Sequence, residues 1–513
     1  RGRVLTLGER KSLARRPDRD TLEKVLSDPH PEVIRRLLVN PRLTEEHVVR
    51  LATRRPGSRA VLSEIACSAR WSTRSRVRLA LEVVLAEGER GHTMYHKYSA
   101  GSISYAEFRH LGKKNVLGRY SIHFHLVGNT MRGSSVIGAS VWDSHNRWVT
   151  IHGTNYLVVR DCIGYKSIGH GYFLEDGTEV YNVLDRNLAV QAEQGKALPK
   201  QVLPFDANEG TGFWWANSHN TFTRNTSCEN HRYGYRFEAT QTSRFDLNLS
   251  IMQPDGTKKK VDIRTLPFVR FDDNEAHGDG LYGFNLGEGV NRVGPDEKHP
   301  FIIRNMKIWE LHYGFRPQSP SVLVENMQLY NVVYGVYHPN FDRHHYSNVL
   351  IHNVTAEPFN RGHDDLSVQY GLLTVDGLTF SGHRNGGMPL IQISDDNPTG
   401  NAETHMKNVK VIRPKGGELR ALANLGGGPR PTPKTPKGVP IYLHDWFGPN
   451  QTAKIASVKA KDPSITGSFD EPVRKGRKPE VSKQHPAVLK CRELYQTGMP
   501  LHRVSIEAGV EYT

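Results

Sequence analysis

Cysteine is scarce in this sequence, and the cysteines that are present lie far apart. Cys67, Cys162, Cys228 and Cys491 form no CxxC pair. This spacing argues against a zinc ribbon and against a disulfide framework. Long apolar runs are missing as well, because no stretch of about 18 apolar residues predicts a membrane span. No apolar stretch near residue 1 resembles a signal peptide, so any secretion signal is expected outside this sequence.

An excess of one charge sign is missing from the middle of the chain. The net charge is +15, with 20 basic and 12 acidic residues in 1–90 and 16 and 9 in 414–513. The residues between these regions contain 32 of each sign. A uniformly basic chain would indicate nucleic acid, whereas a neutral central region needs no polyanionic partner. Nucleic-acid binding through the basic ends is therefore kept only as a third, weaker hypothesis.

The first 90 residues have the pattern of short amphipathic helices. Three segments end an apolar helical stripe with a proline: SLARRP (12–17), RLLVNP (36–41) and LATRRP (51–56). Thr44, followed by Glu45 and Glu46, indicates a helix start. The region resembles bacterial leucine-rich-variant or HEAT-like repeats, which implies an α-helical repeat segment over 1–90 that could bind a protein partner. Its arginines are predicted to form a solvated face.

From about residue 95 the chain changes to short β-branched and aromatic runs separated by Asn, Gly, Asp and His. A polar marker after these runs recurs, with shortest intervals of 21 to 23 residues, at Asp161, Asn225, Asn305 and Asn326, and less closely at Gly138, Asn187, Asn274, Asn353, Asp376 and Asn408. A period near 22 with polar turn residues predicts a right-handed, single-stranded parallel β-helix of about ten rungs over 95–415. The predicted fold class is therefore mainly β, preceded by a small α-helical repeat domain.

A second marker supports the same fold. An aromatic residue or His, then Gly, then another large residue recurs nine or ten residues later, at 170–172, 233–235, 282–284, 313–315 and 334–336. Asn and Gly are expected at bends that need the left-handed backbone conformation. A leucine-rich horseshoe would need LxxLxL with helical returns, and a β-propeller would need blades of about 40 residues. Neither pattern is present.

Residues 416–513 form the third predicted region, a basic extension rich in Gly, Pro and Lys and partly disordered. Within this region, VPIYLHDWFGP (439–449) is predicted as one last strand pair packed on the β-helix.

The segment GRYSIHFHLVGN (118–129) places two histidines, His123 and His125, on one side of a predicted strand. Rung spacing puts His125, His152 and Glu175 at equivalent positions, each directly after a large inward residue. Because neighbouring rungs are about 4.8 Å apart, these side chains are predicted to form an outward column that could share a metal, a proton or a substrate.

The chemistry of this column stays open at the level of sequence. Clustered imidazoles and carboxylates can bind a divalent cation, either calcium or a transition metal, or provide an acid–base pair for glycosidic cleavage. Like residues also stack in β-helices for purely architectural reasons. The predicted metal ligands are His123, His125 and His152, and the predicted catalytic residues are Glu175, Asp176, His152 and His170.

Substrate binding is predicted for a further set of residues. Arg147 would clamp the carboxylate of a uronate, and Trp214 and Trp215 would offer an indole platform on which sugar rings stack. Glu238 is predicted to assist at the same face.

Three long motifs in series carry a resemblance to a known family: GRYSIHFHLVGN (118–129), SHNRWVTIHGTNYLVVRDCIGY (144–165) and IGHGYFLEDG (168–177). They resemble the β-helix region of the cell migration-inducing hyaluronidase and fibrocystin family, including bacterial, planctomycete-like members, most closely over about 115–240. The resemblance implies a secreted or surface β-helix, with hyaluronan binding and calcium-dependent depolymerisation in some animal members. Fibrocystin has no established catalysis, so the resemblance alone does not imply an activity.

The preferred hypothesis is an extracellular or cell-envelope β-helix protein that binds or degrades a polysaccharide, plausibly one containing uronic acid, as a hyaluronidase-like glycosidase or lyase. Glu175 or Asp176 would be the acid, and His152 and His125 would be bases or metal ligands. The alternative is a non-catalytic adhesion or scaffold β-helix that presents a ligand-binding rod.

Overall fold

The computed structural model describes most of the chain as two compact units, Arg1–Gly91 and His92–Thr513. The residues that it describes are 5–54, 57–87, 90–287, 293–337, 341–360, 370–383, 390–393, 404–412, 423–425, 441–446, 449–450 and 452–455. Most of the predicted extension over 416–513 therefore lies outside the described residues.

The first unit consists of short helices around a small apolar core. Its described helices are α1 (Leu7–Leu13), α2 (Arg19–Val25), α3 (Pro31–Leu38), α4 (Glu45–Ala52), α5 (Arg59–Ala66) and α6 (Ser75–Glu87). Thr44 caps α4, because its hydroxyl accepts from the His47 backbone N–H. Val33, Ile34 and Leu37 lie on one face of α3 and are fully buried, as the amphipathic pattern predicts.

The second unit is a parallel β-helix with three faces, which confirms the predicted fold class. Its first face stacks twelve described strands: β1 (Thr93–His96), β4 (Ile122–Gly128), β7 (Val149–Thr154), β10 (Tyr172–Leu174), β13 (Thr211–Trp215), β16 (Tyr233–Phe237), β21 (Tyr282–Leu286), β24 (Tyr313–Pro317), β27 (Tyr334–Val336), β29 (Glu357–Asn360), β31 (Ile391–Ile393) and β33 (Ala423–Leu425).

The other two faces run alongside it and merge near the C-terminal end. The second face contains β2 (Ile103–Ser104), β5 (Ser135–Ile137), β8 (Val158–Arg160), β11 (Val183–Asp185), β14 (Thr221–Thr223), β19 (Arg270–Asp272), β22 (Phe301–Arg304) and β25 (Ser321–Glu325). The third face contains β3 (Glu107–Arg109), β6 (Ser140–Ser144), β9 (Ile163–Ile168), β12 (Leu188–Glu193), β15 (Thr226–Cys228), β20 (Glu275–His277), β23 (Lys307–Trp309) and β26 (Gln328–Tyr330). The strands that continue both faces are β28 (Phe341–His352), β30 (Tyr370–Ser381) and β32 (Thr404–Ile412).

Two hairpins and one short helix complete the described elements. An insertion carries an antiparallel hairpin, β17 (Asn248–Met252) with β18 (Lys258–Asp262), followed by a 3₁₀ helix over Ile263–Thr265. At the other end, β34 (Ile441–His444) pairs in parallel with β32 and antiparallel with β35 (Thr452–Ile455). The β-helix thus continues past residue 415. In the described parts of the chain, no helix is long and apolar enough to cross a membrane.

The second sequence marker has a steric cause. Its glycines Gly234, Gly283 and Gly314 stack on the first face, where successive rungs approach closely. Gly212, outside the marker, continues the same column. A Cβ on Gly234 would lie 2.6 Å from the Gly283 carbonyl oxygen, and a Cβ on Gly314 would lie 2.8 Å from that of Gly335. Real Cβ atoms do not approach so closely, so only glycine fits this column.

The first marker corresponds to two different structural roles. Asp161, Asn305 and Asn326 adopt positive φ near +55° between the second and third faces, as expected for bend residues. Asn225 and Asn274 are instead fully buried and form an internal ladder, in which the Asn274 Oδ1 accepts from both the backbone N–H and the Nδ2 of Asn225, each at 3.0 Å. This ladder satisfies polar groups at bends where no water can enter.

Candidate functional site

The outward side of the first face carries a column of polar side chains. In the parallel register, His96 of β1 pairs with His125 of β4, and His125 pairs with His152 of β7. Glu175 directly follows β10, and its N–H donates to the Ile151 carbonyl at 2.9 Å, which places it next to His152. The alternate residues point inward, because Phe124 and Ile151 are buried in the core. The structure therefore brings His125, His152 and Glu175 together.

Four donor atoms converge in this column. The Nδ1 atoms of His125 and His152 are 3.1 Å apart, and His152 Nδ1 is also 3.1 Å from Glu175 Oε2. The same Oε2 lies 3.4 Å from His123 Nε2. One atom from each of the three histidines falls within 4.8 Å of the others. The cluster holds the three predicted metal ligands and two predicted catalytic residues, because His152 was predicted in both roles and Glu175 as catalytic.

A cavity of about 320 Å³ opens over this cluster. Its lining residues are Met94, His96, Leu117, Gly118, Arg119, His123, His125, His152, Glu175 and Val202. The lining thus combines four imidazoles and one guanidinium with a single carboxylate. A site of this composition suits an anionic ligand or a metal ion better than an apolar ligand.

Behind the cluster, a buried network fixes the second oxygen of Glu175. Its Oε1 accepts hydrogen bonds from the Tyr120 hydroxyl and, at 3.2 Å, from Arg147 Nη1. Arg147 Nη2 donates to Asp206 Oδ2 at 2.6 Å, and Asp206 Oδ1 lies 2.8 Å from His170 Nε2. The Arg147 guanidinium also stacks on the Phe173 ring, 3.6 Å from its centroid. Glu175 is therefore oriented with Oε2 toward the histidines.

The protonation of the cluster follows from its burial and its charges. Burial lowers the pKa of His125 to about 4, and the imidazoles of His152 and His123 add to this effect. Burial alone would also lower the pKa of His152, but Asp176 and Glu175 outweigh it and raise the pKa to about 10. Burial would raise the pKa of Glu175, yet the imidazoles of His123 and His152 and the charge of Arg147 hold that pKa well below its usual range.

Asp176 supports His152 from the other side. Its Oδ2 lies 3.4 Å from His152 Nε2, and its Oδ1 accepts from the backbone N–H and the hydroxyl of Thr178 at 2.7 and 2.6 Å. The pKa of Asp176 is lowered, because hydrogen bonds with His152 and its other neighbours exceed the effect of burial. The lowered pKa values of Glu175 and Asp176 favour their ionised forms near neutral pH, and the acid role of either residue stays a prediction.

Several residues predicted to bind substrate are placed elsewhere, and those predictions are corrected. Arg147 is fully buried and its two terminal nitrogens are paired with protein carboxylates, so it acts on Glu175 and not as an open clamp. Trp214 and Trp215 are 2% and 0% exposed. Phe205 of the insertion over 192–210 covers Trp214, whereas Trp215 points into the core and packs against Phe222 and Phe271. Neither indole can carry a sugar ring.

His170 and Glu238 also lie outside the cavity lining. His170 is buried, accepts from the Thr211 backbone N–H at 3.2 Å and belongs to the network behind Glu175. Glu238 occupies the same column two rungs beyond Glu175, and its Oε2 pairs with Arg236 at 2.8 Å. Their roles are therefore supporting or structural.

Sequence reasoning missed four residues of this site. His96 and Arg119 line the cavity, and Tyr120 and Asp206 hold Glu175 in place. Strict alternation in GRYSIHFH places Tyr120 with Ile122 and Phe124, on the side opposite to His123 and His125, so the strand pattern gives no signal for it. Predicting His96 would have required the strand register of β1. Asp206 lies in the 192–210 insertion, where no periodicity predicts its position.

Residues 89–284 match the model of the CEMIP beta-helix. The predicted resemblance is confirmed for this part of the chain, which contains the whole column.

Two known proteins are similar to parts of this chain. Over 263 residues the chain is 28% identical to Cell surface hyaluronidase CEMIP2 of Homo sapiens, covering 45% of this chain and 18% of that protein. Over 222 residues it is 32% identical to Fibrocystin-L of Mus musculus, covering 42% of this chain and 5% of that protein. The chain thus spans less than a fifth of the length of these relatives.

Among solved structures, the chain is similar to a Siphovirus 9NA tailspike receptor binding domain, with a TM-score of 0.32 and 12% identity. The similarity covers 63% of this chain and 56% of the tailspike chain. A similarity of this size carries no information about function.

Proposed function

We propose that the chain binds and cleaves an extracellular polysaccharide that contains uronic acid, and that the cavity on the first face is the site. The observation that carries this proposal is the lining of the cavity, where imidazoles and a guanidinium surround one carboxylate. The name of the human relative, a cell surface hyaluronidase, supports a polysaccharide of this class and a location at the cell surface.

Substrate recognition is assigned to Arg119. Arg119 lines the cavity together with His96 and the histidine cluster. Guanidinium groups bind planar carboxylates with two parallel hydrogen bonds. A uronate carboxylate paired with Arg119 would place the sugar ring over His96 and the cluster. This assignment replaces Arg147, whose guanidinium is used inside the protein.

The lining favours elimination over hydrolysis. Most glycosidases use two carboxyl groups about 5 to 9 Å apart, whereas Glu175 is the single carboxyl group among the described residues of the lining. Elimination needs a base that removes the proton next to the uronate carboxylate, a cation that neutralises this carboxylate, and a proton for the departing sugar oxygen. We assign the base to His96, the exposed imidazole of the column, and the cation to Arg119. The His96 imidazolium formed in this step then gives its proton to the departing sugar oxygen as the carbon–oxygen bond breaks and the double bond forms.

The experiment incubates the full chain with hyaluronan and with other uronic-acid polysaccharides. Elimination creates a carbon–carbon double bond in the new terminal sugar, which absorbs ultraviolet light, whereas hydrolysis creates only a reducing end. His96→Gln is expected to lower kcat by 10²- to 10⁴-fold, and Arg119→Ala to raise KM. His110→Gln is the matched control, because His110 pairs with Asp143 at 2.5 Å and lies outside the cavity.

The second candidate is a non-catalytic polysaccharide-binding or adhesion β-helix. The single carboxyl group of the described lining favours it over hydrolysis. In that case Arg119→Ala would weaken binding of the polysaccharide, and no double bond or reducing end would form with any substrate. If Arg119→Ala also leaves binding unchanged, the cavity is not the polysaccharide site.

A further inference from the structure

The histidine cluster contains an arrangement that hydrogen bonding between protein groups does not satisfy. His123 is 1% exposed, and both of its nitrogens face oxygen acceptors. Nδ1 lies 3.1 Å from the Gly118 carbonyl oxygen, and Nε2 lies 3.4 Å from Glu175 Oε2 with no hydrogen-bond partner among the described residues. The Gly118 carbonyl can only accept, so Nδ1 carries an N–H, and Nε2 is the atom that His123 turns toward Glu175.

His123 Nε2 therefore faces Glu175 Oε2 at 3.4 Å, longer than a good hydrogen bond, and this leaves both atoms available to a cation between them. His152 Nδ1 stands 3.1 Å from the same Oε2 and 3.1 Å from His125 Nδ1. Three nitrogens and one oxygen thus surround one point.

The distances between these atoms match the edges of a small tetrahedron. Zinc binds imidazole nitrogen at about 2.0–2.1 Å and carboxylate oxygen at about 2.0–2.2 Å, so two ligand atoms in a tetrahedral shell are about 3.3 Å apart. Three of the six distances in the cluster are 3.1, 3.1 and 3.4 Å. The three histidines each offer a nitrogen within 4.8 Å of the other two, and small rotations of the His123 and His125 rings would shorten these separations.

The groups behind the ligands are those that metal sites use. Metal-bound histidines donate their other ring N–H to a backbone carbonyl or a carboxylate, which fixes the ring and the tautomer. His123 has the Gly118 carbonyl in this position, and His152 has Asp176. Glu175 has its other oxygen held by Tyr120 and Arg147. These supports orient all three side chains before any ion binds.

The ligand types also select the class of ion. Imidazole nitrogen suits zinc, copper, nickel and iron, whereas calcium takes six to eight oxygen ligands. We propose that His123, His125, His152 and Glu175 form a tetrahedral site for a zinc-type transition metal, and that Glu175 is its fourth ligand. This site is independent of the identity of the substrate, and it excludes calcium at this position.

Metal binding by the full chain tests this assignment directly. Chain dialysed against EDTA is titrated with Zn²⁺ and, separately, with Ca²⁺ by calorimetry, and the zinc content of the untreated chain is measured by mass spectrometry. One Zn²⁺ per chain is expected, with no heat from Ca²⁺ at the same site. Co²⁺ is expected to bind with the intense visible bands of tetrahedral coordination and to be displaced by Zn²⁺.

Variants separate this cluster from other metal-binding groups. His125→Gln and His152→Gln are expected to weaken Zn²⁺ binding at least 100-fold, and Asp176→Asn, which changes only a supporting group, by 10- to 100-fold. His110→Gln is the control and should bind like the parent chain. Circular dichroism checks that each variant folds. If His125→Gln and His152→Gln do not fold, the Zn²⁺ affinity of Asp176→Asn decides between the outcomes.

Three results would overturn the proposal. These are a parent chain that binds no Zn²⁺, affinity that stays the same in the His125, His152 and Asp176 variants, and a Co²⁺ spectrum with only the weak bands of six-coordinate cobalt. None of these readouts requires turnover of a polysaccharide. The metal site can therefore be confirmed or refuted whatever the outcome for the proposed function.

Discussion

Asp279 is a buried acid in a position like that of Asn274 in the internal ladder, where the side chain accepts hydrogen bonds from an asparagine of the preceding rung. It is 2% exposed, and its Oδ1 accepts from the backbone N–H and the Nδ2 of Asn230 at 3.0 and 2.9 Å. The Ser227 hydroxyl lies 3.2 Å from the same oxygen. Burial raises the pKa of Asp279 from 3.8 to about 7, the charge of Glu229 adds to this, and the hydrogen bonds from Asn230 and Ser227 only partly oppose it.

This shift makes stability depend on pH in a defined direction. Because the folded state holds the Asp279 proton more tightly than the unfolded state, the free energy of unfolding falls as the pH rises from about 4 to about 7. A shift of about three units corresponds to about 4 kcal/mol in total, of which about 2 to 3 kcal/mol is lost between pH 5 and pH 8. Asp279→Asn removes the titrating group, and its amide can donate to the Ser227 carbonyl as Asn274 donates to Phe222.

Asp279→Asn should therefore stabilise the β-helix at pH 8 and have a much smaller effect at pH 5. Because two units unfold in one chain, the measurement is amide hydrogen exchange in β15 and β20, corrected for the intrinsic effect of pH. Asn274→Asp is the reciprocal control, since it places a carboxylate against the Phe222 carbonyl and should destabilise the same rungs. A difference between Asp279→Asn and the parent that is equal at both pH values would refute this reasoning.

Three further predictions concern the scaffold of the site. Trp214→Ala should destabilise the chain by about 3 to 5 kcal/mol in denaturant unfolding and leave the affinity of the folded chain for polysaccharide unchanged. A weaker affinity without lost stability would return Trp214 to the substrate site. Arg147→Met should cost about 3 to 5 kcal/mol because it removes the cation that pairs with two buried carboxylates, and thermal unfolding unchanged from the parent would show that the network is dispensable. Gly283→Ala puts a Cβ 2.5 Å from Ile308 Cγ2, so a melting temperature equal to that of the parent would contradict the steric account of the glycine column.

The fold and the central column were accessible from sequence because both follow from a repeat. Each rung pairs with the next in register, so a residue at one position predicts the neighbour of its counterpart one rung away. The rung spacing therefore predicted that the side chains of His125, His152 and Glu175 are neighbours. It also predicted bends at Asp161, Asn305 and Asn326, all of which have positive φ.

The rest of the site depends on segments that interrupt the repeat. Asp206 comes from an insertion that folds over the first face, and the same cover buries Trp214 and turns Arg147 into an internal group. Alternation shows that a side chain leaves the core of the β-helix, and it does not show whether another segment covers that side chain. Exposure of outward residues next to a long insertion is therefore the least predictable property of such a chain.

The strand register of the first face determines which parts of this site can change during evolution. His125 and His152 are 27 residues apart and His152 and Glu175 are 23 apart, yet both pairs are neighbours, because backbone pairing sets the alignment and loop length does not. Insertions at the bends can therefore lengthen a rung and remodel the rim of the cavity while the four donor atoms keep their positions. New specificities can arise by loop exchange around an unchanged centre.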